Sequence, residues 1–147
     1  MAEPKAADAL KLLARDAEDL AVISAVLQDA LIPVSEMAFL PEEQRFAVVA
    51  NRFRWERAPG TRREARERRL AGLSIGGVTA VQRRGFSPSE RDRILVLLAI
   101  RQSEGVLLLD FAGGASIRLE TAEIRCYLDD LSEPWPTRFE PRHPVEG

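Results

Sequence analysis

The chain reads as an α+β protein: a mainly antiparallel sheet of about six or seven strands, curled or barrel-like, with one amphipathic helix near its N-terminus. Three observations predict this. Apolar and β-branched runs of strand length recur from residue 37 onward, separated by turn residues. Helical spacing is clearest at Leu20, Ile23, Leu27 and Leu31. The glycine pairs fall between strand-like runs, where a hairpin needs them.

With 147 residues, 46% of them hydrophobic, the chain is sized for one domain with its own core. We read residues 10–137 as that domain. Residues 1–9 form a flexible N-terminus, 57–69 an Arg-rich connection and 138–147 a Pro-rich tail.

The elements follow in order. Leu10 to Leu13 forms a short first strand. Asp16 is a good helix N-cap, and Glu18 and Asp19 place carboxylates at the positive end of the helix dipole. Pro33 cannot continue the helix, so the helix ends near Ala30. Met37 to Leu40 and Arg45 to Trp55 form a hairpin around the polar turn Pro41 to Gln44. Leu70 to Ile75 and Val78 to Gln82 are strands on either side of a bend at Gly76-Gly77. Ile94 to Arg101, Val106 to Phe111 and Ser116 to Leu119 make a three-stranded meander, turning at Gln102 to Gly105 and at Gly113-Gly114. Residues 123–131 fit two patterns. Ile124, Tyr127, Leu128 and Leu131 make a helical face, while Ile124, Cys126 and Leu128 alternate like a strand. The helical reading is adopted. A pleckstrin-homology-like barrel is one architecture of this type, and it requires that C-terminal helix.

Several chemistries are poorly supported. The single cysteine, Cys126, excludes an internal disulfide and a multi-cysteine zinc site, and it points to a reducing compartment. A Cys126–His143 pair would place its base in the Pro-rich tail, so a buried, inert thiol is the better reading. Neither glycine pair leads into a helix N-terminus, as a phosphate loop requires. Asp129, Asp130 and Glu133 lack the alternation of a calcium loop and read as a solvated helix end. Asp110 is the most interesting lone acid, and capping of the Gly-Gly turn is its first reading. No catalytic, cofactor or metal site is expected, nor enzymatic activity. The longest apolar run, Ile94 to Ile100, is much shorter than the ~20 residues of a membrane helix, so no membrane partner is expected and the cytoplasm is the expected compartment.

The best candidate surface is basic. Arg52, Arg54, Arg62, Arg63, Arg66 and Arg69 cluster around Trp55, and Trp135 adds an aromatic between two prolines. Arginines track phosphates and aromatics stack on unpaired bases, so nucleic-acid binding is one reading. Against it stand a net charge of −2 and an arginine-rich composition with two lysines, Lys5 and Lys11. The surface serves an acidic protein as well.

Asp19 to Ser24, Phe39-Leu40-Pro41, Arg45-Phe46, Asn51 to Glu56 and Phe111-Ala112-Gly113-Gly114 together resemble the DUF2948 family, over roughly Leu10 to Thr137. The resemblance implies a bacterial, cytoplasmic protein, alphaproteobacterial in origin. It transfers no activity, cofactor or catalytic residue. The function expected from the sequence is therefore a non-catalytic binding or accessory module acting through protein contacts. The alternatives are a nucleic-acid binder using the Arg-rich connection and a small enzyme using carboxylates.

Overall fold

A computed structural model of the chain describes residues 9–53, 67–131 and 135–136. The strands are β1 (Lys11–Ala14), β2 (Leu31–Pro33), β3 (Met37–Leu40), β4 (Arg45–Phe53), β5 (Glu67–Gly76), β6 (Val78–Arg84), β7 (Ile94–Ser103), β8 (Val106–Phe111), β9 (Ser116–Thr121), β10 (Cys126–Asp130) and β11 (Trp135–Pro136). The single α-helix among the described residues, α1, spans Ala17–Val26.

All eleven strands join one antiparallel sheet in the order β1-β10-β5-β4-β2-β7-β8-β9-β6, with β3 beside β4 and β11 beside β5. The expected class holds, but the expected strand count falls short. The path is open: among the described residues no ladder joins β1 to β6, so the sheet is not closed into a barrel. Gly77, at φ +75°, turns β5 directly into β6. A left-handed backbone there suits glycine, which has no Cβ to clash.

The helix begins where its cap predicts. The Asp19 N–H donates to the Asp16 carboxylate at 2.8 Å. It ends earlier than expected, at Val26 rather than near Ala30. The reason is competition from the sheet. The Asp29 N–H donates to the Leu97 carbonyl and the Leu97 N–H to the Ala30 carbonyl, so these residues already belong to the edge of β7. That recruitment starts β2, a strand the sequence reading lacked. The helix packs on β7 and β1. It buries Leu20 and Ile23, and Ser24 Oγ accepts the Ile100 N–H at 2.9 Å. Burying each such aliphatic side chain stabilises the fold by about 1.5–3 kcal/mol.

The β3–β4 hairpin and the β7–β8–β9 meander match expectation, with Gly113 at φ +83° in the β8–β9 turn. Residues 123–131 do not form the expected helix. Cys126 to Asp130 is strand β10, wedged between β1 and β5. Both neighbours present backbone groups that need partners, and a helix would leave them unmet. Cys126 and Leu128 are buried and Tyr127 is exposed, the strand alternation. With a strand in place of the helix at residues 123–131, and with the sheet open among the described residues, the pleckstrin-homology-like expectation fails.

Candidate functional site

The Arg-rich end of the sheet is built by three strands. In the β4–β5 ladder Arg52 stands opposite Arg69 and Phe53 opposite Arg68; in the β5–β10 ladder Asp130 stands opposite Ala71. Side chains alternate along a strand, so Arg52 shares the inner face with Phe46, Val48 and Ala50. Arg69 and Asp130 lie on that same face. Arg52 is fully buried and forks onto Asp130, with Nε donating to Oδ1 at 3.0 Å and Nη2 to Oδ2 at 2.8 Å. Its Nη1 donates to the Phe53 carbonyl at 2.9 Å. The Leu10 N–H donates to Asp130 Oδ2 at 2.8 Å, and Arg69 Nη1 lies 3.7 Å from the same oxygen. One carboxylate thus ties together β4, β5, β10 and the chain entering β1. Paired charges in a bidentate geometry offset the desolvation that isolated ones could not.

Arg68 sits on the outer face. Its guanidinium lies 3.7 Å from the centre of the Phe53 ring, and Nη1 donates to the Asn51 carbonyl at 2.9 Å. It too is buried. Of the basic surface expected from the sequence, Arg52 and Arg69 are therefore inside the molecule. The expected Arg-rich connection ends earlier than residue 69, because β5 begins at Glu67. The backbone of Trp135 pairs opposite Arg68 in β11. Arg54, Trp55, Arg62, Arg63 and Arg66 lie outside the described residues, as does His143.

A second feature lies on the outer face, where no motif had pointed. Tyr127 of β10 stands opposite Ser74 of β5, Ser74 opposite Ala47 of β4, and Ala47 opposite Ala38 of β3. Small side chains across three strands leave an open groove of about 450 Å³, lined also by Val49, Gly72, Glu36, Arg45 and Asp129. Tyr127 is 41% exposed, and near it Leu13, its ladder partner on β1, is 49% exposed. Asp129 points outward where its neighbour Asp130 points inward. One Asp129 oxygen, Oδ1, is buried with no hydrogen-bond partner among the described residues. The signal available in the sequence was the run of small residues at alternating strand positions, Ala47 in β4 with Gly72 and Ser74 in β5.

The remaining candidates take structural roles. Asp110 does not cap the Gly-Gly turn; it pairs with Arg101 across the β7–β8 ladder, Arg101 Nε donating to Oδ2 at 2.5 Å. That hydrogen bond and the carboxylate's charge raise the Arg101 pKa. Cys126 is fully buried, and burial pushes its thiol up to about 11. Among the described residues no three His, Cys, Asp or Glu side chains gather to hold a metal ion. No helix among them is long and apolar enough to cross a membrane.

The model of the family described as "Protein of unknown function (DUF2948)" matches residues 10–143, nearly the whole chain, and the chain belongs to that family. No curated protein and no solved structure matches it.

Proposed function

We propose that this DUF2948 chain is a non-catalytic binding module acting through protein contacts, and that the outer groove over Ala47, Gly72 and Ser74 is its contact surface. The observation that carries this is the groove itself: small floor residues beside the exposed Tyr127 and Leu13. Aromatic side chains at the rim of a depression are the usual anchors of protein interfaces. The buried, unbridged Cys126 fits a reducing compartment, and we place the module in a bacterial cytoplasm.

The nucleic-acid reading loses ground, because Arg52 and Arg69 are committed to Asp130 inside the fold and are not available to phosphates. The enzymatic reading loses its lead residue, since Asp110 is engaged by a surface arginine.

The test fills the groove. Ser74→Trp puts a large ring on its floor at an outward-facing strand position, where aromatic residues are well tolerated. The wild-type chain should capture one protein from its native cell extract in stoichiometric amount. Ser74→Trp should lose that protein while keeping the wild-type circular dichroism and melting temperature. Capture that is equal for both proteins, or recovery of the chain alone, would overturn the reading.

A further inference from the structure

We infer that the groove recognises an extended segment of a partner protein that carries a lysine or arginine side chain, read by Asp129. The inference rests on the groove being a protein-contact surface and adds the chemistry of the partner.

Shape argues for an extended chain. The row from Ala38 through Ala47 and Ser74 to Tyr127 crosses the strands, and three inter-strand spacings amount to about 14 Å. That is the length of about four residues of extended peptide. A segment lying across the strands cannot join the ladders, whose backbone groups are already paired beneath it. Its recognition therefore falls to side chains.

Charge selects the cation. Arg45, the one basic side chain lining the groove among the described residues, is engaged by Glu43, with Nε donating to Oε1 at 3.0 Å. Its two acids, Glu36 and Asp129, make no ion pair among the described residues. Lys11 stands opposite Asp129 in the β1–β10 ladder yet makes no ion pair with it. Asp129 is half-buried, and one of its oxygens is buried without a hydrogen bond. A carboxylate that has lost water without gaining a donor is stabilised by an arriving cation more than an exposed one would be. Tyr127, two residues before Asp129 on β10 and on the same outer face, offers a ring face for the aliphatic stem of that cation or for the guanidinium itself.

The test is selection of random displayed peptides on the full chain, followed by titration of the selected peptides against variants. Enrichment of lysine or arginine is expected. Asp129→Asn should weaken the selected peptides roughly ten-fold, the scale of one charged hydrogen bond. Asp129→Lys should shift preference to the same peptides with glutamate at the basic position, a gain that misfolding cannot produce. Peptides that lack basic residues, bind Asp129→Asn unchanged and are lost with Ser74→Trp would overturn the inference while leaving the groove as a protein-contact surface. Peptides indifferent to Ser74→Trp would overturn both. A concentration-dependent dimer in sedimentation that Ser74→Trp abolishes would assign the groove to a second copy of the chain and likewise overturn it.

Discussion

Two of the sheet's Arg–Asp pairs, Arg52–Asp130 and Arg101–Asp110, are chemically alike and physically opposite. Arg52–Asp130 has side-chain exposures of 0% and 1%, and Arg101–Asp110 has 59% and 32%. In each, the arginine Nε donates to the carboxylate, and a second guanidinium nitrogen approaches the other oxygen. The first pair faces a core of Leu, Ile and Val side chains; the second faces water. The difference teaches that the ion pair is not the unit of stability. What matters is what each charge loses when its partner is removed. Inside, the survivor has no water to turn to. Outside, it resolvates at once.

The largest expected effect is at the buried pair. Asp130→Asn leaves Arg52 charged in the core, removes the negative charge that Arg69 Nη1 faces at 3.7 Å, and replaces one of the two acceptor oxygens that serve Arg52 and the Leu10 N–H with an NH2 group. We expect a loss of about 3–5 kcal/mol in urea denaturation, the scale for breaking one side of a buried ion pair. Replacing both partners, Arg52→Met with Asp130→Leu, should recover part of that loss, because no uncompensated Arg52 charge remains. A double variant less stable than Asp130→Asn would show that the pair contributes more than mutual neutralisation.

An intermediate effect sharpens the claim that the inner face of β10 excludes water. Cys126 lies on the same strand as Asp130, and burial holds its thiol at about 11 against an ordinary 9.0. The folded state therefore keeps its proton where the unfolded state releases it. The contribution of this group to stability is fully present below about pH 9 and is lost as pH rises through about 11. Reaction with a thiol reagent at pH 8 should be far slower in the native protein than in denaturant. Equal rates would mean that water reaches β10 and that the buried pair is less isolated than its exposure implies.

The smallest effect is expected at the exposed pair. Asp110→Ala should leave the denaturation midpoint within experimental error, and raising salt should not change that result, because the pair is already screened. A midpoint shift as large as that of Asp130→Asn would collapse the comparison.

Much of the fold was legible along the chain because local chemistry carried it. Asp16 caps α1 as its side chain dictates, and Pro41 to Gln44 turns the β3–β4 hairpin. Gly113-Gly114 turns β8 into β9. The errors fell where a segment's own pattern was neutral and its neighbours decided. Residues 123–131 satisfy a helix and a strand equally well, and the open edges of β1 and β5 chose the strand. Asp29 and Ala30 left the helix because Leu97 offered backbone partners. The site was less legible. Arg52 and Arg69 looked like surface residues because arginine usually is one, and only cross-strand register brings Asp130, far along the chain, against them.

By itself the amino-acid order determined the class of the molecule, most of its strands and the start of its helix, since alternation, capping and turn chemistry act over a few residues. Tertiary structure alone decided which carboxylate meets Arg52, that Asp129 faces outward while Asp130 faces inward, and that Ala47, Gly72 and Ser74 share one depression. Those relations depend on the register between distant strands. A slip of one residue there would exchange the two faces of the sheet, and with them the core and the groove.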